Sequence, residues 1–185
     1  PVVIGHSLGG FVAQHLAAER RLPGLVLVAA PGPGGLAPSF WRLAQNPRVM
    51  AALLLAQAGL GPALGPEAAR AALFTEETPD DWIRAVAPPP APESPLALAD
   101  GMAWDWPVWA RVWGTPTLAL AGDRDAFVPL SDLLALQAAY GADATVLRGM
   151  AHGAPIDPRW KRLAWRISAW FEEREIGARR PLAAP

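Results

Sequence analysis

The stretch Pro1-Val2-Val3-Ile4-Gly5-His6-Ser7-Leu8-Gly9-Gly10-Phe11 leaves its own backbone little freedom. Pro1 to Ile4 is apolar and β-branched, as in a buried strand, and Gly10 to Ala18 continues as a helix. Between them, Gly5-His6-Ser7-Leu8-Gly9 fits G-x-S-x-G. A chain passing from strand to helix in so few residues bends sharply, and the residue at the apex is lifted out at positive φ. The residues two before and two after the apex must be small for strand and helix to pass closely, and Gly5 and Gly9 occupy those places. A glycine-rich phosphate turn is the other reading. It calls for G-x-G-x-x-G or Gly-Lys-Ser/Thr, and neither is present. The bend points to Ser7 as a nucleophile.

Gly5 to Gly10 resembles the nucleophile elbow of the α/β-hydrolase superfamily, whose members carry serine, then Asp or Glu, then histidine along the chain. The acid loop follows the apolar run Thr117–Ala121. Gly122-Asp123-Arg124-Asp125-Ala126-Phe127-Val128-Pro129 is similar to the family's G-x-x-D-x-x-V-P, which implies Asp125 as the acid. Asp123 is the competitor, and it suits a turn cap, since Asp readily bonds nearby backbone amides. A further strand, Ala144–Leu147, leads into Arg148-Gly149-Met150-Ala151-His152-Gly153, which resembles the loop bearing the family's histidine. The chain has 3 histidines, at positions 6, 15 and 152. His6 lies inside the elbow and His15 on the helix behind it, so His152 is the implied base.

These residue types suit one chemistry. A serine hydroxyl is a weak nucleophile until an imidazole takes its proton, and a carboxylate behind the imidazole fixes its tautomer and stabilises the imidazolium. Relatives with aspartate at the elbow, the haloalkane dehalogenases and epoxide hydrolases, are set apart by Ser7, so an acyl-enzyme route is expected. The resemblance implies a serine esterase or lipase near the monoacylglycerol-lipase and lysophospholipase-like branch, acting on a small hydrophobic acyl ester. The alternatives are a carbon–carbon bond hydrolase or cofactor-free haloperoxidase on the same fold, or a non-catalytic hydrolase-like binding module.

An oxyanion hole needs two converging N–H donors. The N–H of Leu8 is one; the family supplies the other from a loop after an earlier strand. The resemblance implies roughly four strands and two helices ahead of Pro1, and a chain that is about two thirds of an ordinary domain of this kind. The expected architecture is therefore the C-terminal part of an N-terminally truncated α/β-hydrolase fold, with a mostly parallel sheet flanked by helices and an inserted helical cap. Missing strands expose a sheet edge, so the chain alone is expected to be inactive and prone to aggregate.

Apolar residues make up 52% of the chain and charged residues 18%, enough to build a core. A net charge of −1 argues against a nucleic-acid partner bound through a basic field. With 0 cysteines there are no disulfides or thiolate metal sites. Unpaired histidine spacing argues against a metal centre, so no cofactor is expected. No apolar run reaches the roughly 18 residues of a spanning helix. Lys161 is the lone lysine among 16 basic residues, and alanine and proline abound, as in GC-rich bacterial genomes. A cytoplasmic location is expected, and assembly is not legible.

Leu25–Ala30 is a continuous apolar run, expected to be a strand buried on both faces and ended by Pro31-Gly32-Pro33-Gly34-Gly35. From Leu36 to about Thr115 no strand signal appears, and helical patches fall at Phe40–Gln45, Val49–Ala58 and Glu67–Phe74. So long a loop is implausible in a compact domain. The expected division is a core of residues 1–35 and 114–176, a cap of 36–113 and a flexible tail of 177–185. Trp104, Trp106, Trp109 and Trp113 crowd the end of the cap, either lining an acyl pocket or fastening cap to core. Candidate substrate contacts are His6, Trp104, Trp106 and Val128. Ser131 and Asp132 are expected to cap the next helix, and Asp157-Pro158 to begin the last one. On that last helix Arg159, Arg162 and Arg166 read as a solvated face.

Overall fold

A computed structural model describes residues 1–89, 91–103 and 106–176. The expectations for Trp104 and for the tail 177–185 lie outside the described residues. Four strands, β1 (Val3–His6), β2 (Leu25–Val28), β3 (Thr117–Gly122) and β4 (Asp143–Leu147), form one sheet in the order β1-β2-β3-β4. Every neighbouring pair is parallel, with Val3 opposite Leu25, Leu25 opposite Thr117 and Leu118 opposite Asp143. Parallel neighbours need crossovers. Helix α1 (Leu8–Glu19) joins β1 to β2, and α8 (Leu130–Tyr140) joins β3 to β4.

Strand side chains alternate between faces, so the apolar run of β2 divides between two cores. Leu25 and Leu27 pack with Ala13 and Ala17 of α1 and with Leu133, Leu136 and Tyr140 of α8. Val26 and Val28 pack on the other face with Leu163 and Trp170 of α9 (Trp160–Glu173). Both faces are thus covered, which is why β2 and β3 are buried along their whole length and, after Thr117, carry no polar side chain. β1 lies at one end of the sheet, and its Ile4 is 55% exposed.

Between β2 and β3 the chain is helical: α2 (Ala37–Ala44), α3 (Pro47–Leu55), α4 (Pro66–Leu73), α5 (Asp80–Val86), α6 (Pro95–Ala103) and α7 (Trp109–Val112). A π turn at Ala56–Leu60 and a 3₁₀ turn at Gly61–Ala63 break the run after α3, where Gly59 takes φ 79°. Ala69, Phe74 and Ile83 form a small core of their own, with Trp82 and Ile156 against it.

Three local expectations need correction. Pro129, not Ser131, stands at the N-cap of α8, and no side chain caps that end. Asp132 is instead turned inward and buried. The last helix starts at Trp160, because Asp157 takes the N–H and the guanidinium of Arg159 into a tight turn ahead of it. Arg159, Arg162 and Arg166 are not merely a solvated face. They donate to the carbonyls of Gly149 and Arg148 and to Thr145 Oγ1, tying α9 to β4 and the loop beyond it.

Candidate active site

A parallel sheet brings the residues that follow its strands to one edge. Ser7 follows β1, Asp125 lies in the loop after β3 and His152 in the loop after β4. Their side chains form one hydrogen-bonded chain. Ser7 Oγ lies 2.8 Å from His152 Nε2. His152 Nδ1 lies 2.9 and 3.1 Å from the two oxygens of Asp125, an arrangement in which Nδ1 donates and the carboxyl oxygens accept. Nε2 is then free to accept from the serine hydroxyl.

Ser7 has φ 53° and ψ −129°, a strained backbone for a residue with a side chain. The surroundings enforce it. Ser7 N donates to Val28 O on the neighbouring strand, and its own carbonyl accepts from Gly10 and Phe11 as α1 begins. The glycine requirement differs from the expected one. A Cβ on Gly5 would stand 2.6 Å from Gly10 Cα and from Gly9 O, and one on Gly10 would stand 2.5 Å from Ala30 Cβ. A Cβ on Gly9 would meet nothing within 4 Å. The close approach is between Gly5 and Gly10, and the second glycine of the spaced pattern faces outward. Leu8 opens α1, where a helix N–H has no partner within the helix.

Asp125 is 1% exposed, and its Oδ1 accepts from the N–H groups of Phe127 and Val128 at 2.7 and 2.9 Å. Val128 is itself buried, so its backbone holds the carboxylate while its side chain packs inside. Asp123 sits at the rim and accepts from Gly149 N, pinning the two loops to each other. Beside His152, the ring of His6 lies 5.0 Å from that of His152, and His6 Nε2 donates to the carbonyl of His152 at 2.9 Å. A carbonyl can only accept, so His6 carries its proton on Nε2. Burial, followed by the nearby His152, pushes the His6 imidazole below its ordinary value and keeps it neutral.

The helices between β2 and β3 grip both loops. Arg42 on α2 donates from Nε to Asp125 O at 2.7 Å. Leu73 O, at the end of α4, accepts from Gly153 N at 2.8 Å, and Trp82 Nε1 on α5 donates to Ile156 O at 2.9 Å. Gly153 is needed there, since a Cβ would lie 2.6 Å from Leu73 O. Sequence reading did not find Arg42, Leu73 or Trp82, because each acts on a backbone group far along the chain. The indole edge of Trp106 lies against Gly35, and the residue is 54% exposed. That placement fits a fastener between the end of this helical stretch and the loop after β2. His15 stacks edge-on against Phe11 on α1, at 5.0 Å between centroids. Among the described residues, no group of three or more His, Cys, Asp or Glu could hold a metal ion, and no helix is long and apolar enough to cross a membrane.

Several solved structures share this fold. BpoC of Mycobacterium tuberculosis, a candidate non-heme bromoperoxidase, matches 94% of the chain with TM-score 0.70 and 20% identity. An esterase of Thermogutta terrifontis matches 94% with TM-score 0.62 and 23% identity. A monoacylglycerol lipase of Paleococcus ferrophilus matches 94% with TM-score 0.59 and 21% identity. The chain spans 67%, 65% and 68% of those three proteins, in that order. No curated protein matches it in sequence. The model of the alpha/beta hydrolase family matches residues 1–166, from the first strand into the last helix, and the chain belongs to that family.

Proposed function

We propose that the protein carrying this chain is a serine hydrolase that cleaves carboxylic esters through an acyl-enzyme. The observation that carries the reading is the 2.8 Å separation between Ser7 Oγ and His152 Nε2, with Asp125 on the far nitrogen of the same imidazole. Ser7 attacks the ester carbonyl as His152 Nε2 takes the hydroxyl proton, and the imidazolium is stabilised by the Asp125 carboxylate. The carbonyl oxygen becomes an oxyanion that accepts from Leu8 N–H. The intermediate collapses, the C–O bond breaks, and His152 returns its proton to the leaving alkoxide. Water then attacks the acyl-serine, giving its proton to the same nitrogen, and the acid is released with Ser7 restored.

The helices between β2 and β3 act as a cap over the strand ends. His6 supports the base from its backbone side. Solved relatives described as an esterase and a monoacylglycerol lipase support the ester reading. The fold match to BpoC supports a second one, a cofactor-free haloperoxidase on the same residues. A panel of p-nitrophenyl esters of rising acyl length, run beside a vinylogous diketone and a halide–peroxide assay on the intact natural protein, separates these. Ester turnover lost in Ser7→Ala is expected. Diketone cleavage or halogenation in the absence of ester turnover contradicts the proposal.

A further inference from the structure

The imidazole of His152 has a neighbour that the acyl-enzyme scheme does not use. The Phe127 ring lies 4.6 Å from it, centroid to centroid, with the planes inclined at 34°. This is the offset, near-stacked arrangement in which an aromatic face meets a second ring. Phe127 is not free to drift away. Its N–H donates to Asp125 Oδ1 at 2.7 Å, and the next residue, Val128, donates to the same oxygen. One turn of chain thus supplies both the carboxylate at the edge of the imidazole and a phenyl ring over it. His152 is 4% exposed, so little water competes for the ring.

An aromatic face attracts a cation, more strongly where water is excluded. During attack on an acyl carbon the imidazole is charged, and before attack it is neutral. A group that favours the charged ring acts on that step selectively. We infer that Phe127 is a positioning residue that holds the His152 ring in register with Asp125 and stabilises its imidazolium through the face of the phenyl ring. The inference rests on the serine-hydrolase reading above. The other charged or titratable groups around His152 are the Asp125 carboxylate, the His6 ring, Arg42 on the Asp125 carbonyl, and Asp132, which feels the Asp125 charge. Asp123 and Arg124 are exposed on the same loop. A change confined to the Phe127 ring leaves all of these in place.

The test uses the intact natural protein with a p-nitrophenyl ester, reading kcat and KM from pH 5 to 9. Phe127→Leu keeps an apolar side chain but removes the ring. 3,4,5-Trifluorophenylalanine at position 127 keeps the ring and strips its face of negative charge, so it separates electrostatics from packing even if the leucine variant folds poorly. The acid limb of kcat/KM is expected to move to lower pH by about half a unit in both, with kcat down about twofold to fivefold and KM unchanged. An unmoved acid limb in the fluorinated protein overturns the inference, as does a rise in KM alone, which would make Phe127 a wall of the substrate site. Either result leaves the hydrolase reading standing. A wild-type protein that turns over no ester removes that reading and this inference together.

Discussion

Asp132→Asn is predicted to stabilise the protein above neutral pH. Asp132 is 3% exposed on the first turn of α8, with its Cγ close under Gly32. Its Oδ2 is buried and has no hydrogen-bond partner among the described residues. Burial raises its pKa from 3.8 to about 6, a backbone bond from Gly32 opposes the rise, and the Asp125 charge adds to it. The folded state therefore binds this proton more tightly than the unfolded chain does. Above pH ~6 the buried charge destabilises the fold, by about 3 kcal/mol for a shift near two units. As pH falls from ~6 to ~4 the folded carboxyl protonates first and the penalty fades; below ~4 both states are neutral and it is gone. The helix N-terminus offsets a smaller share, about 0.3–1 kcal/mol. Asparagine keeps the volume and removes the charge. Urea unfolding of both proteins at pH 4, 6 and 8 should show the variant gaining about 2–3 kcal/mol relative to wild type between pH 4 and pH 8. A difference that stays constant with pH, or that runs the other way, refutes the reasoning.

Two other perturbations follow from contacts at the site. Gly10→Ala, which drives a Cβ to 2.5 Å from Ala30 Cβ, should abolish ester turnover or folding, whereas Gly9→Ala, with nothing within 4 Å, should keep activity within about twofold; equal losses in a rate assay would contradict this. Trp82→Phe removes the donor to Ile156 O and leaves a part-buried carbonyl unsatisfied, so a loss of about 1 kcal/mol in unfolding free energy is expected, together with a lower kcat. A variant unchanged in both would show that α5 does not hold the loop of His152.

The parts legible from sequence were those whose physics is local. The strand–Ser7–helix bend needs its residues in order and close together, and the loop of Asp125 follows β3, a run buried along its whole length, while the loop of His152 follows β4, of which only Leu147 is buried. A run like β3 cannot be mistaken for surface. What lay hidden depended on partners far along the chain or on direction. Spacing alone ranks Gly9 with Gly5; only the crossing of α1 over β2 shows that Gly10 is the crowded one. The arginines of α9 look solvated until β4's loop is placed beneath them. Helices α5 and α6 went unread because Asp80–Val86 is too short for a clear period, and Pro95–Ala103 follows a proline run that reads as loop. Gln14 is fully buried on α1, donating to Pro31 O and accepting from Tyr140 Oη. Nothing in its neighbours in sequence marks it as the polar tie between α1 and α8.

The central claim is that Ser7 is made nucleophilic by His152. A fluorophosphonate probe with the intact natural protein, followed by peptide mass mapping, tests it directly. One adduct is predicted, on Ser7, forming at least 100-fold more slowly in His152→Ala. Labelling of another residue, or of Ser7 at an undiminished rate without the imidazole, would contradict the account.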